Sequence, residues 1–338
     1  MAAASPPAAP ASTALAARAR TGCRLAMRIL VLGAGALGLI FGGRAAEAGH
    51  EVAFLCRAAT AARLREQGLR VRSPFGDIAR EAVVLERAEP GFDAVLLACK
   101  AYDLDAAMTA MSSAMTGATV VLPVLNGIAH VERLCAAFGA ERVLGGVARI
   151  QATRLPDGSA VQLNAWRSLL LGELGGGVSE RARALAACFP APGVLAEAVP
   201  DIRARMWQKL VHLGTVAAAT LLFRANIGEI LRAGGGDTLR ALLETNAAIA
   251  AAEGFPVGEA FLAETRAVVG DARSSYSASM LRDAEAGLPT EAGHVIGTLE
   301  RAGTRAGLDV TLHRLALLHA AAHEERRRAG RLPGDGGR

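Results

Sequence analysis

Aromatic residues, cysteines and long uncharged runs are scarce in this chain of 338 residues. Aromatic residues make up 4% of it, so Ala, Leu, Val and Gly dominate a hydrophobic content of 52%. This composition and length favour a helix-rich α/β protein with two domains. The five cysteines form no C-x-x-C pair, which argues against a disulfide scaffold or a metal site and indicates a reducing, cytoplasmic setting.

The chain also lacks net charge between its two end segments, over residues 27–323. The net charge of +5 comes entirely from residues 1–26, at +3, and residues 324–338, at +2. The longest candidate for a membrane-spanning segment, residues 210–223, has fourteen residues without a formal charge, which are too few to cross a bilayer. We therefore expect neither a membrane nor a nucleic acid as a partner.

Residues 1–26 are rich in Ala, Pro and Ser and contain no acidic residue. Such a segment cannot build a core, so we predict a disordered extension, with a second disordered tail over residues 324–338. The extension lacks the apolar stretch of a secretory signal, and a transit-like presequence is the alternative. We expect Met27 to be the natural start, because the first strand begins there.

The most informative segment follows at once. The apolar run RILVL leads into a GAGALG motif made of Gly33, Ala34, Gly35, Ala36, Leu37 and Gly38. A strand, G-x-G-x-x-G and then a helix form the fingerprint of a dinucleotide-binding βαβ unit. Gly33 permits the tight turn, Gly35 lets a diphosphate approach the backbone, and Gly38 lets the helix pack closely on the strand. The diphosphate would lie on the N–H groups at the helix start.

Arg57 stands where an NAD-binding protein usually carries an acid for the ribose hydroxyl. It follows the second strand candidate, EVAFLC, nineteen residues after Gly38, and no acid follows it before Glu66. A cation at this place favours a 2′-phosphate, so we predict NADPH as the cofactor. A solvated arginine at a strand end is the alternative interpretation.

Strand-like runs alternate with helical segments through the first half of the chain. This pattern predicts a Rossmann-like dinucleotide-binding domain over residues 27–199, with hairpins at Pro74–Asp77 and Pro156–Gly158. From about residue 200, Ala- and Leu-rich helical segments replace the strands. We therefore predict an α/β domain followed by an all-helical domain over residues 200–323.

Two polar residues end further strand candidates, Lys100 after DAVLLAC and Asn126 after VVLPVL. Ligands of open parallel sheets bind beyond the carboxyl ends of the strands, so both side chains are candidate ligand contacts. An ordinary surface lysine and a simple Asn-Gly turn are the alternatives.

The helical half offers a candidate proton donor and a candidate substrate clamp. Lys209 has apolar neighbours at helical spacing, and such a lysine either extends to water or points into a cleft. In a cleft it can protonate the alkoxide formed when hydride reaches a carbonyl. Ser279 offers a hydroxyl to a substrate carboxylate, and Pro289 predicts that Glu291 lies in the first turn of a helix. A glutamate there commonly only compensates the helix dipole.

In their order and spacing these residues resemble the ketopantoate reductase (2-dehydropantoate 2-reductase) family. The resemblance covers residues 27–322 and is carried by GAGALG, Arg57, Leu97–Lys100, Leu125–Gly127, Trp207–Leu210 and Ser279–Glu291. It implies an NADP-dependent oxidoreductase that reduces 2-dehydropantoate to pantoate, a step of pantothenate and coenzyme A biosynthesis.

The resemblance also implies a cofactor site. The GAGALG residues would hold the diphosphate, and Arg57 and Lys100 would contact the adenosine phosphate region of NADPH. Asn126 would lie beside the nicotinamide and the substrate, and Glu291 would contact both as well.

For the chemistry, the resemblance implies Lys209 as the general acid. Glu291 would engage the substrate hydroxyl and the lysine, and Ser279 would bind the substrate carboxylate. Asn226 is a further candidate substrate contact, and no metal is expected.

The chain departs from the family where a polar substrate is bound. Leu213, Ala217 and Ile227 stand where the family usually has Asn, and Tyr276 replaces a fourth. Each lost amide removes hydrogen bonding worth about 1–3 kcal/mol if the substrate group is left unpaired. The departures leave two alternatives open, an NADPH-dependent reductase of a less polar carbonyl compound and a non-catalytic NADP(H)-binding sensor.

A β-hydroxyacid dehydrogenase is a more distant rival, and its signatures are not evident. The composition decides neither the native substrate nor whether the helical domain forms a homodimer.

Overall fold

The computed structural model describes residues 26–332, which form two compact units. The first unit contains the residues up to Leu125 together with Val131–Ile202. The second contains Asn126–His130 and the residues from Arg203 onward. The division after Ile202 lies three residues beyond the predicted boundary, and the short segment 126–130 falls in the second unit rather than the first. The predicted extension, apart from residue 26, and residues 333–338 lie outside the described residues.

The strands all precede the long helices of the second half. Their bounds are β1 (Arg28–Leu32), β2 (Glu51–Leu55), β3 (Leu69–Arg72), β4 (Ile78–Arg80), β5 (Val83–Leu85), β6 (Ala94–Leu97), β7 (Val120–Pro123), β8 (Leu144–Arg149), β9 (Ala152–Arg154), β10 (Ala160–Gln162), β11 (Ser168–Glu173) and β12 (Leu195–Ala198).

The α-helices are interleaved with these strands and then follow one another without strands. Their bounds are α1 (Ala36–Glu47), α2 (Ala58–Gln67), α3 (Leu104–Met111), α4 (Ala129–Phe138), α5 (Glu180–Ala186), α6 (Ile202–Phe223), α7 (Ile227–Arg232), α8 (Gly236–Ala252), α9 (Glu259–Val269), α10 (Ser279–Glu285), α11 (Ala292–Arg305) and α12 (Thr311–Arg328).

The first unit is built on a parallel sheet with the strand order β5-β2-β1-β6-β7. Its central strand β1 is buried on both faces, because Ile29 and Val31 pack in one apolar cluster and Leu30 and Leu32 pack in another. A parallel sheet covered on both faces needs such a continuous apolar run, and the sequence RILVL supplies it. The predicted Rossmann-like α/β domain is therefore confirmed.

Two smaller sheets complete the first unit. The strand pairs β3–β4 and β9–β10 are antiparallel, as both predicted hairpins require. Strand β5 lies outside the first hairpin and pairs with β2 at the edge of the parallel sheet. Strand β8 pairs antiparallel with β11 in the third sheet.

The second unit is helical in the described residues, as predicted, and its core is a single large apolar cluster. The break between α6 and α7 falls at Asn226, whose amide oxygen accepts the N–H of Glu229 at 2.9 Å while the Glu229 carboxylate accepts the N–H of Asn226 at 2.8 Å. This reciprocal capping box begins α7.

The prediction of a disordered tail from residue 324 is wrong for its first five residues, since α12 continues to Arg328. Glu324 pairs with Arg327 and Arg328, three and four positions later, and pairs at this spacing support a helix. Among residues 26–332, no helix is both long enough and apolar enough to cross a membrane.

Candidate active site

The GAGALG motif forms a tight turn between β1 and α1. Gly33 has a φ of +102°, and a Cβ added to it would lie 2.8 Å from the backbone nitrogen of Cys99. A Cβ on Gly38 would lie 2.0 Å from the carbonyl oxygen of Gly33. Side chains are therefore excluded at both positions. At Gly33 the cause is the backbone angle and the close approach of the residues that follow β6, and at Gly38 it is the packing of α1 on its own turn.

Gly35 is different, because the space in front of it is open. It is the N-cap of α1, no side chain caps this helix, and its first turn carries no acid. A Cβ added to Gly35 would meet nothing within 4 Å. The N–H groups at the start of a twelve-residue helix thus face a region that a diphosphate can enter. The residues present fit a dinucleotide.

Arg57 and Lys100 follow the carboxyl ends of β2 and β6, the two neighbours of β1 in the sheet. Arg57 is the N-cap of α2 and its side chain is 77% exposed. Its guanidinium forms an ion pair with Asp103, three residues after Lys100. The ion pair therefore joins the two loops that carry the predicted cofactor contacts Arg57 and Lys100.

Asp103 was missed by the sequence analysis. It places a carboxylate on the cation predicted to bind the 2′-phosphate, so it competes with a phosphate for that charge. A sequence pattern that predicts such a residue is an acid shortly after a strand adjacent to β1. The carboxyl ends of adjacent parallel strands meet at one edge of the sheet, so this acid lies near the cofactor contacts.

Arg154 is a second missed residue, and it ends β9. Its Nη1 atom lies 3.5 Å from the carbonyl oxygen of Ala34, within the GAGALG motif, and 3.4 Å from the hydroxyl of Thr60 on α2. A further cation therefore lies beside the glycine turn. No spacing in the sequence indicates this contact. Arg154 comes near the glycine turn because β10 pairs with β3, which places the β9–β10 hairpin in the second sheet.

Lys209 and Asn126 meet within the second unit. Lys209 lies on α6 and donates a hydrogen bond from Nζ to Asn126 Oδ1 at 3.0 Å. Both residues are half-buried. The apolar neighbours Met206 and Leu210 are buried in the core, with 5% and 1% exposure. The amide oxygen thus fixes an ammonium group at the boundary of an apolar cluster.

Two histidines beside this pair were also missed. His130 Nδ1 and His294 Nε2 are 3.2 Å apart and share a hydrogen bond. His130 is fully buried. Burial, followed by the neighbouring His294 and the charge of Lys209, lowers the pKa of His130 to about 3, so its ring is neutral at neutral pH.

The other predicted site residues lie at helix starts of the second unit. Glu291 is the N-cap of α11 and is 4% exposed. It lies one residue before the predicted first turn, because the helix starts where its carbonyl accepts the N–H groups of His294 and Val295. Ser279 is the first residue of α10 and is half-buried. The amide oxygen of Asn226 is engaged in the capping box of α7.

The positions where the family usually has Asn differ in their access to a ligand. Ala217 and Ile227 have 0% exposure and belong to the apolar core, whereas Leu213 is half-buried. Tyr276 lies with its hydroxyl 3.2 Å from His212 Nε2. His212 lies three residues after Lys209 on α6, so its hydrogen bond to Tyr276 lies one turn of the helix from the lysine.

Two family models match the chain. The one described as ketopantoate reductase PanE/ApbA matches residues 29–176, and the one described as ketopantoate reductase PanE/ApbA C terminal matches residues 201–324. They follow one another in the chain in the same order as the two structural units, and together they span most of it.

Individual relatives are similar over nearly their whole length. The chain is 31% identical to the 2-dehydropantoate 2-reductase of Archaeoglobus fulgidus over 291 residues, which is 86% of this chain and 95% of the relative. It is 34% identical to the uncharacterized oxidoreductase YkpB of Bacillus subtilis over 286 residues, 83% and 94% of the two chains. The crystal structure of 2-dehydropantoate 2-reductase from Methylococcus capsulatus matches with a TM-score of 0.78 and 30% identity, covering 89% of this chain and 98% of that one.

Proposed function

The chain belongs to the ketopantoate reductase family of oxidoreductases, and we propose that it reduces a 2-oxo acid to a 2-hydroxy acid with NADPH. The leading substrate is 2-dehydropantoate, with pantoate as the product. The name of the Archaeoglobus relative supports this substrate, whereas the Bacillus relative is an oxidoreductase without a named one.

The observation that carries the proposal is the hydrogen bond from Lys209 Nζ to Asn126 Oδ1. A reductase needs a proton donor where the carbonyl oxygen gains charge, and a half-buried ammonium held by an amide supplies one.

The use of lysine in this chain supports the same role. Of its 37 basic residues only two are lysines, Lys100 and Lys209. Arginine, which stays protonated at neutral pH, serves wherever a fixed positive charge suffices. Both lysines stand at predicted site positions, and Lys209 occupies the place where a group that can release its proton is required.

When bound at the glycine turn, NADPH would supply the hydride that the keto carbon of the substrate accepts. Lys209 donates its proton to the resulting alkoxide oxygen and regains one from water. Asn126 orients the ammonium through Oδ1, and its amide N–H groups can donate to the substrate. Ser279 would bind the carboxylate, and Glu291 would accept the hydrogen of the new hydroxyl.

NADPH rather than NADH is the proposed cofactor because three cations lie on segments next to the glycine turn. Arg57 and Lys100 follow the two strands beside β1, and Arg154 contacts the turn itself. The open space at Gly35 and the free start of α1 support diphosphate binding. Asp103 opposes this preference, since it pairs with Arg57.

A reductase of a less polar carbonyl compound is the second candidate. Leu213 is the aliphatic departure from the family that retains partial exposure, and an aliphatic group there suits an apolar substituent. The third candidate, a non-catalytic NADP(H) sensor, is disfavoured by the retention of Lys209 and Glu291.

The deciding experiment measures NADPH oxidation by the full chain with 2-dehydropantoate and with a series of bulkier and more apolar 2-oxo acids. We expect the fastest turnover with 2-dehydropantoate. Preference for an apolar substrate would support the second candidate. NADPH binding without oxidation by any compound in the series would support the sensor.

A further inference from the structure

The histidine pair lies on the two segments that flank the proposed proton donor. His130 belongs to the segment 126–130 and is the second residue of α4, and His294 lies in the first turn of α11. Besides their hydrogen bond, the two rings are stacked, with centroids 5.4 Å apart and planes inclined by 19°. The pair therefore joins the Asn126 segment to the helix that Glu291 begins.

His294 also packs directly on the backbone next to Asn126. A Cβ added to Gly127 would lie 2.8 Å from His294 Cδ2 and 3.2 Å from the His294 carbonyl oxygen. Gly127 has a φ of +82°, so both its backbone angle and the ring of His294 exclude a side chain. The imidazole thus holds the residue that follows Asn126 from one side.

The backbone of His294 is itself anchored in the helix start. Its N–H donates to the carbonyl oxygen of Glu291 at 3.0 Å, and its own carbonyl accepts the hydroxyl of Thr298 at 2.6 Å. The imidazole that contacts Gly127 is therefore carried by a backbone that is hydrogen-bonded to Glu291.

The tautomer follows from the surroundings of His130. Its Nε2 atom is buried and has no hydrogen-bond partner among residues 26–332. A buried N–H without a partner is rarer than a buried acceptor without one, so the hydrogen of His130 lies on Nδ1. His130 therefore donates and His294 Nε2 accepts. A neutral donor of this kind adds no second charge next to Lys209.

We propose that His130 and His294 are positioning residues for proton transfer, which hold the Asn126-Gly127 turn against α11 so that Asn126 Oδ1 stays within hydrogen-bonding distance of Lys209 Nζ. This inference rests on the proposed role of Lys209 as the proton donor. The hydrogen bond and the ring stacking fix the turn, and the neutral His130 adds no charge to the site.

The hydrogen bond can be removed or restored by choice of side chain. His130→Leu and His294→Leu remove it. His130→Asn places an amide N–H near the former Nδ1, and His294→Gln places an amide oxygen near the former Nε2, so these variants retain a donor and an acceptor. We expect the leucine variants to lose about 10²-fold in kcat, the scale of a misplacement of about 1 Å. The amide variants should recover most of this loss, with KM little changed throughout.

A readout independent of turnover uses the two lysines of the chain. Protein labelled with ¹⁵N and ¹³C in lysine gives two side-chain signals, and Lys100→Arg assigns the remaining one to Lys209. We expect His294→Leu to shift the Lys209 signal and its titration midpoint, because the Asn126 oxygen is no longer held beside Nζ. His294→Gln should restore both values.

His313→Leu is the matched control, since His313 is also buried in the second unit but bonds to Asn246. It should lower the free energy of unfolding without moving the Lys209 signal. The proposal is overturned if the His294 variants lower only the free energy of unfolding and leave both the signal and kcat unchanged. Should the wild-type chain reduce no 2-oxo acid, the proposed function fails, while the lysine signals still decide whether the pair positions Lys209.

Discussion

Lys209 Nζ and Asn126 Oδ1 are 3.0 Å apart although 83 residues separate them in the chain. One residue lies on a long helix and the other follows the last strand of the parallel sheet, yet both belong to the second unit. The pair places an ammonium group and an amide at one point, which is the minimum arrangement for a proton donor with a fixed direction.

Replacement of Lys209 tests whether its proton, rather than its charge, is used. We expect Lys209→Ala to lower kcat by roughly 10²–10⁴-fold. Lys209→Arg should be almost as damaging, because a guanidinium keeps the charge but does not release its proton at neutral pH. Single-turnover oxidation of NADPH measures the effect. Arg205→Ala, an exposed cation on the same helix, is the control, and kcat within threefold of wild type for Lys209→Ala would remove the lysine from this role.

Removal of Arg57 should weaken NADPH far more than NADH, since only NADPH carries a 2′-phosphate. A charge-assisted hydrogen bond is worth about 1.5–3 kcal/mol, so the dissociation constant for NADPH should rise by about 10–100-fold in Arg57→Ala. Calorimetric titration with both nucleotides gives the comparison. Arg65→Ala, exposed on the same helix, should change neither constant. Equal losses for both nucleotides in Arg57→Ala would reject the phosphate assignment.

Asp103→Asn should have the opposite effect, because it frees the Arg57 guanidinium from its ion pair. Pairs between exposed side chains contribute about 0.2–1 kcal/mol, so NADPH should bind up to about fivefold more tightly. Affinity for NADH should stay the same. Weaker binding of NADPH by this variant would instead mean that Asp103 orients Arg57 for the phosphate.

Leu213 is the position at which substrate preference can be tested without damage to the core. Leu213→Asn should raise kcat/KM for 2-dehydropantoate by roughly tenfold, if the amide regains a hydrogen bond worth about 1–3 kcal/mol. Ala217→Asn is the comparison. It buries an amide in the apolar core, so it should mainly lower the melting temperature. No gain of activity in Leu213→Asn would place this residue outside the substrate site.

Two buried histidines predict a loss of stability in mild acid. Burial lowers the pKa of His130 to about 3 and that of His313 to about 4, from 6.5 in the unfolded chain. Below pH 6.5 the unfolded state therefore binds more protons than the folded state, and the free energy of unfolding falls as the pH falls. Each histidine contributes a slope of up to about 1.4 kcal/mol per pH unit.

Urea denaturation between pH 6.5 and pH 5.5 measures this slope. This window lies above the range in which an unfolded carboxyl group such as Glu324, with a pKa of 4.5, takes up most of its proton. His130→Asn and His313→Gln should each reduce the slope, and the double variant should reduce it further, while His319 and His323, whose pKa values burial also lowers, retain their share. A double variant as steep as the wild type would show that other groups cause the acid sensitivity.

The sequence predicted the elements whose signals are local. The run RILVL and the glycine spacing of GAGALG specify a strand, a turn and a helix, because burial on both faces and a positive φ are properties of adjacent residues. The change from strands to helices near residue 200 was visible for the same reason. The spacing of Asn226 and Glu229 also predicts a capping box, although we predicted Asn226 only as a substrate contact.

Contacts between distant residues were decided by the tertiary structure alone. Arg57 and Asp103 are 46 residues apart, and His130 and His294 are 164 apart. Periodicity and composition report which face of an element is buried, but not which elements become neighbours, since that depends on strand order and on the packing of whole helices. The sequence thus determined the fold class and the chemical groups of the candidate site. Only the packing decided that a carboxylate pairs with Arg57 and that two imidazoles meet next to the turn that carries Asn126.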